Sequence, residues 1–111
     1  MKKDCVFCKI ISGEAPARVV YLWQDAIAIR PLNPCTRDHV LVIPKKHVMD
    51  AVEDPATTGL VFSRAAQIAP YPCNLITSVG VDATQTVMHL HVHIIPRSAQ
   101  DGLLLPWSLC P

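Results

Sequence analysis

Three histidines at alternate positions, in "VMHLHVHIIPR" over residues 87–97, constrain this chain more than any other feature. In a β-strand successive side chains point to opposite faces, and every second residue stands about 6.6–7 Å further along the same face. The spacing therefore predicts a half-buried strand with His89, His91 and His93 in a row on one side and Leu90, Val92 and Ile94 on an apolar back face. Three uses of such a row are open. It can be a polar strand face of surface imidazoles. It can hold a metal, although the outer pair lie about 13 Å apart along the strand. With Zn–N bonds of about 2.0–2.1 Å, one tetrahedral ion reaches one or two of the three and leaves at least one for other work. Or the row can act on phosphorus. Imidazole has a pKa of about 6.5 and is largely neutral at pH 7, so it attacks without a separate base. Its neighbours can then donate to phosphate oxygens or to the leaving group.

The remainder of the chain has to supply the frame for that strand. "CVFCKIISGE" suits a short amphipathic helix stopped by Gly13. "ARVVYLWQ" and "AIAIRPL" read as strands joined by a turn near Gln24 and Asp25, and "HVLVIP" as a third strand ended by Pro44. "DPATTGLVFSRAAQIA" is the one longer helix, with Asp54 at its cap, Pro55 in its first turn, and Leu60, Val61, Ala65 and Ile68 as its stripe. "NLITSVG" and the triad strand flank the loop "VDATQT" and look paired and antiparallel. The expectation is an α+β domain spanning 1–111, an antiparallel meander of about five strands with a helix on one face and an irregular tail over 97–111.

Composition narrows the partners. A formal net charge of +1 offers no basic footprint for nucleic acid. No apolar run approaches membrane length, and Asp4 and Lys9 interrupt what would be a signal-peptide core. Five cysteines (5, 8, 35, 73 and 110), an odd number, fit a reducing compartment better than a disulfide framework, so a cytoplasmic protein is expected. Half the residues are apolar and the mean hydropathy is +0.29, which suits either a dense aliphatic core or apolar surface buried between subunits. Cys5 and Cys8 form a CxxC, open to two readings from the residues alone: a redox pair, or two buried thiols on one helical turn.

"HLHVHII" resembles the His-φ-His-φ-His-φφ signature of the histidine triad (HIT) family, in its Hint-like branch of nucleotidyl hydrolases and transferases. "CVFCKIISGEAPARVVY" is similar to that family's amino-terminal segment, "HVLVIPKKH" to its central strand and turn, and "TQTVMHLHVHIIPR" continues the likeness through the loop before the triad. The resemblance implies a HIT-like fold whose antiparallel sheet is extended by homodimerisation. It implies His91 as nucleophile on the α-phosphorus of a nucleotide, with His93 on the phosphate. His89 would orient the site through its backbone carbonyl, and His39 would be a fourth active-site histidine. Gln85 and Thr86 correspond to a phosphate-contacting pair. Phe7, Ile10, Ile29 and Leu32 correspond to the nucleoside pocket.

The resemblance also implies a structural zinc ion held by Cys5, Cys8, His47 and His89, with no catalytic metal. It implies, further, that the carboxy-terminal tail approaches the partner's active site, where Trp107 could shape the choice of leaving group; alternatively Trp107 covers its own subunit's core. The chain departs from the family pattern where Pro31 replaces an acidic residue that binds ribose hydroxyls, and where Ser78 replaces a common asparagine. The expected activity is cleavage of a nucleoside phosphoramidate, polyphosphate or related conjugate through a nucleotidyl-histidine intermediate. A nucleotide- or metal-binding module with little catalysis, and a zinc-dependent hydrolase, are the other classes open to such a sequence.

Overall fold

The computed structural model describes residues 2–108. Its elements run α1 (Val6–Ser12), β1 (Val19–Leu22), β2 (Ala26–Ile29), β3 (Val40–Pro44), α2 (Pro55–Ile68), β4 (Cys73–Ile76) and β5 (Val92–Pro96), with short 3-10 turns at Val81–Ala83 and Pro106–Ser108. Every strand pairing is antiparallel. The five-stranded α+β architecture, the short first helix and the longer second one are as the sequence implies. α1 stops at Gly13, whose φ of 85° is a left-handed conformation that glycine adopts without strain.

The sheet is not a simple meander. Its order is β1-β2-β3-β5-β4, so the last strand enters between the third and the fourth. β3 and β4 each run antiparallel to β5 and hence parallel to one another, and parallel strands need a long crossover. α2 is that crossover.

Helices cover both faces rather than one. All four residues of β2 and all five of β3 are buried, so neither side of these strands can be left to water. On one face Val61 and Ala65 of α2 pack against Ala28, Val40, Val42, Leu90, Val92 and Ile94. On the other, Phe7 and Cys8 of α1 meet Ile27, Ile29, Leu41 and Ile43. Each fully buried Val, Leu or Ile contributes roughly 1.5–3 kcal/mol relative to exposure, so these two layers dominate stability. The helix stripe departs from expectation at one end. Thr57 and Phe62, not Leu60, accompany Val61, Ala65 and Ile68 at the core. Asp54 sits at the cap position but makes no capping bond to the backbone; its carboxylate accepts from the Thr57 hydroxyl and from Lys46. Arg64 on α2 makes a two-pronged pair with Asp25, tying the β1–β2 turn to the helix.

The triad strand begins later than the spacing predicts. Hydrogen-bonded ladder starts at Val92, and residues 87–91 lie outside it. In the β3–β5 register Val42 faces Val92, so, two residues on, Pro44 would face Leu90. The Pro44 carbonyl is instead taken by the His89 ring at 2.9 Å, and the Leu90 N–H turns to the Val48 carbonyl at 2.8 Å. A histidine side chain thus replaces the last rung of the ladder. The alternation survives this change: Leu90, Val92 and Ile94 remain in the α2 layer, while His89 and His91 pack against Phe7 on the α1 side.

Candidate active site and metal cluster

His89 is fully buried, and its two ring nitrogens have different partners. Nε2 lies 2.9 Å from the Pro44 carbonyl oxygen, which can only accept, so Nε2 carries the proton and Nδ1 presents a lone pair. Around that lone pair stand Cys5 Sγ at 3.3 Å, Cys8 Sγ at 3.6 Å and His47 Nδ1 at 3.0 Å, and Cys8 Sγ is 3.2 Å from His47 Nδ1. One lone pair cannot satisfy three neighbours as separate hydrogen bonds. A cation at their centre can. Tetrahedral zinc with Zn–S near 2.3 Å and Zn–N near 2.0–2.1 Å places sulfur and nitrogen ligands about 3.5 Å apart and two nitrogens about 3.3 Å apart. All four ligand atoms lie within 4.8 Å of one another, and the four separations just given match those figures to within a few tenths of an ångström.

The electrostatics agree. Burial pushes the Cys5 thiol up, so a thiolate there needs a positive partner. Burial likewise holds His89 down to about 4, keeping it a neutral donor. The Pro44 carbonyl behind Nε2 fixes the ligating tautomer, as outer partners of metal-bound histidines commonly do. These four residues fit a structural zinc site, which leaves no open position for substrate and supplies a cross-link between α1, the turn after β3 and the triad segment.

The other histidines form a second system. His91 Nδ1 is 2.8 Å from the His89 carbonyl oxygen, so Nδ1 carries the proton and Nε2 is left with its lone pair. His39 works in the opposite sense. Its Nδ1 accepts from the Cys35 backbone N–H at 3.0 Å, which leaves Nε2–H to donate to His93 Nδ1, also at 3.0 Å. His93 therefore carries its proton on Nε2. Desolvation, helped by neighbouring His91 and His39, holds His93 at about 4. Burial also lowers His91 and His39. The rings of His91 and His93 stand 5.1 Å apart between centroids, and the Phe7 ring sits edge-on to His91 at 5.2 Å. Side by side, then, are a neutral imidazole offering an electron pair and a neutral imidazole offering a proton.

Several residues singled out from the sequence have other roles or positions. Gln85 is buried with its amide fully engaged: Oε1 accepts from Gly80 N–H, and Nε2 donates to the Met49 and Val87 carbonyls. It braces the loop and has no hydrogen left for phosphate. Thr86 is exposed and lines a cleft of about 760 Å³ with Lys2, Asp4 and His47, on the metal-cluster side. His93 opens onto a different cleft, of about 370 Å³, with Cys35, Ser78 and Thr84. Of the expected nucleoside pocket, Phe7 and Ile29 are core residues and Ile10 packs at their edge, whereas Leu32 is 98% exposed. Trp107 is 61% exposed, so it does not cover a core.

The tail's three leucines, Leu103 to Leu105, do line the His93 cleft of their own chain. Arg97 holds them there by bonding Asp101, Asn74 and the Leu103 carbonyl. The last three residues of the expected tail lie outside the described ones. Sequence reading missed Cys35 and Thr84. Cys35 acts through its backbone N–H, which leaves no mark in residue identity.

Elemental analysis of the purified chain should give one zinc per subunit. Cys8→Ala should lose it and unfold at lower temperature, because structural zinc binding is worth roughly 10–16 kcal/mol in small domains. His91→Ala should keep the metal. A Cys8→Ala protein with full zinc content would contradict the cluster.

Comparison with known proteins places this geometry. Residues 12–100 match the model of the HIT domain. A zinc-bound histidine triad family protein from Mycobacterium smegmatis superposes with a TM-score of 0.81 at 35% identity, over 92% of this chain and 81% of that one. An adenosine 5'-monophosphoramidase of Schizosaccharomyces pombe is 33% identical over 97% of this chain and 86% of its own length. An adenylylsulfatase of Arabidopsis thaliana is 35% identical over 98% of this chain and 60% of its own length. Among the described residues no helix is long and apolar enough to cross a membrane. With a matched domain over most of its length, a Cys2His2 cluster and three alternating histidines, the chain belongs to the histidine triad family.

Proposed function

We propose that the protein is a nucleotide hydrolase or nucleotidyl transferase that cleaves at the α-phosphate of a nucleoside phosphoramidate, phosphoanhydride or related conjugate. The observation that carries this reading is the pair of opposite tautomers at His91 and His93. His91 Nε2 attacks the α-phosphorus, the bond to the leaving group breaks with its electron pair, and the leaving group takes a proton from solvent. The His91 ring becomes positively charged as the P–N bond forms. Its Nδ1–H already points at the His89 carbonyl, whose partial negative charge stabilises that cation. His93 donates its Nε2–H to a phosphate oxygen as charge builds there. Water then attacks phosphorus, releases the nucleoside monophosphate with loss of a proton, and returns His91 to its neutral form.

The S. pombe and A. thaliana relatives, by their names, act on an adenosine phosphoramidate and an adenylyl sulfate, and both fit a reaction in which only the leaving group differs. A zinc ion bound by Cys5, Cys8, His47 and His89 would hold the segment from which His89 presents its carbonyl, and the steps above use only the chain's own histidines.

The same reading includes a homodimer. β1 forms an open edge of the sheet, and Val19, Val20, Tyr21 and Leu22 on it are all exposed. Mass measured in solution at micromolar concentration should be twice that of the chain; a monomer at that concentration would remove the dimer from the account.

Rapid quenching with adenosine 5'-phosphoramidate should trap one adenylyl group on His91. His91→Ala should show neither the adduct nor turnover, and His93→Ala should lose about 10²–10³-fold in kcat, the usual cost of one donor to a developing oxyanion. Turnover by His91→Ala at the wild-type rate would sink the nucleophile assignment. Binding of AMP without adduct or turnover in the wild-type protein would make it a binding module instead.

The acid limb gives a second check. An ordinary imidazole is half protonated near pH 6.5, but burial keeps His93 neutral down to about 4. Its neutral form, accepting from His39 at Nδ1 and carrying its proton on Nε2, thus persists as pH falls through 6.5 and gives way to the doubly protonated ring only as pH approaches 4. The log kcat profile should stay level from pH 7.5 to 5.5. A tenfold fall across that window would mean that His91 or His93 takes up a proton there, so that burial does not hold both rings neutral in the working enzyme.

A further inference from the structure

A third cleft, of about 390 Å³, is lined by His39 and carries unbalanced positive charge. Arg18, Arg30 and Arg37 line it, with Asp38 as its sole carboxylate. The Arg30 N–H donates to the Arg18 carbonyl at 3.0 Å, so these two residues are backbone partners at the open end of the β1–β2 hairpin. Like charges at directly paired positions destabilise a hairpin. Asp38 relieves one of them, standing 3.3 Å from Arg30. Arg18 and Arg37 make no side-chain hydrogen bond or ion pair among the described residues, which leaves two positive charges uncompensated.

A second, independent sign lies in the same wall. Thr36 Oγ1 is the one buried side-chain nitrogen or oxygen among the described residues without a hydrogen-bond partner. Buried polar atoms are nearly always paired, so an orphan at a cleft wall marks a missing acceptor. The cleft also adjoins the chemistry, because His39 lines it and gives its Nε2–H to His93.

Two guanidinium groups with no side-chain partner among the described residues, an unpaired hydroxyl and an already engaged carboxylate together match a group that is acceptor-rich and negatively charged. We infer that this cleft binds a second anionic group of the substrate, a phosphate or sulfate apart from the α-phosphate under attack. This deepens the proposed function and rests on it for the placement of the nucleotide. Pro31, at the rim, offers no side-chain acceptor for free sugar hydroxyls. The anionic group can come from the sugar or from the leaving side of the α-phosphate; the chemistry of recognition is the same.

The test is equilibrium binding to the full zinc-loaded chain at fixed ionic strength. The probes are AMP, adenosine 2',5'-bisphosphate, adenosine 3',5'-bisphosphate and ADP. At least one doubly anionic probe should bind about tenfold or more tightly than AMP, as one added charged hydrogen-bond pair provides. A sugar source favours a bisphosphate, and a leaving-side source favours ADP.

In Arg18→Gln/Arg37→Gln that advantage should collapse to near unity, whereas Arg64→Gln, remote from the cleft, should preserve it. Both cleft arginines are exposed and unbonded to other described side chains, so the double variant is expected to fold; its retained zinc content and melting temperature report on that directly. If no probe exceeds AMP, or if the advantage survives the double substitution in a folded protein, the inference is wrong. Failure of the hydrolase reading looks different: there the phosphoramidate is not turned over, while the affinity ratio and its loss on substitution persist.

Discussion

His89 is the residue on which the rest of the site depends, and each of its polar ends does a separate job. Its Nε2–H closes on the Pro44 carbonyl at the end of β3, its Nδ1 lone pair faces the two thiols and His47, and its own carbonyl receives the His91 Nδ1–H. One buried imidazole thereby fixes the metal cluster to the sheet and sets the protonation state of its neighbour two residues on. Removing the ring would leave the Pro44 carbonyl without its partner and the cluster without a ligand at the same time. An unsatisfied buried polar group alone costs about 1–3 kcal/mol. The geometric limit on an extended strand, that a single metal cannot hold all three alternating histidines, is met by dividing them. His89 faces the metal-ligand cluster, and His91 and His93 are left, under the proposed mechanism, for phosphate chemistry.

Identical side chains acquire different chemistry here through backbone contacts. His91 and His93 are both imidazoles on one short segment, yet one meets a carbonyl at Nδ1 and the other meets an N–H donor at Nδ1. That single difference makes one a nucleophile and the other a donor under the proposed mechanism. The donor on His93 is itself set two steps back, by the Cys35 N–H on His39. The preorganisation comes from main-chain dipoles that need not move when charge develops. Desolvation reinforces it, since burial keeps the rings neutral and their tautomers defined.

Much of this was legible in the residues. The alternation over 89–93 located the two faces, although the strand itself starts only at Val92; the apolar runs located β2 and β3, and Gly13 located the end of α1. What the sequence could not convey were arrangements decided by pairing. Nothing local to β5 says that it enters between β3 and β4, because that choice depends on α2 carrying the chain across. Nothing local to residues 87–91 says that a side chain would displace the ladder at Pro44. Gln85 illustrates the limit for sites: the family resemblance implies a phosphate contact, but burial gives its amide three backbone partners. Arg18, Arg30 and Arg37 are ordinary surface residues in sequence and become one charged cleft only when the hairpin and the loop before β3 are brought together.

The central claim is that His91 and His93 are neutral and hold opposite tautomers before any substrate arrives. Long-range ¹H–¹⁵N correlation spectra of the zinc-loaded protein at pH 7, with the rings assigned by single-histidine variants, read this directly. The account requires His91 protonated on Nδ1 and unprotonated on Nε2, with His93 the reverse. A His91 ring protonated on Nε2, or on both nitrogens, would contradict it.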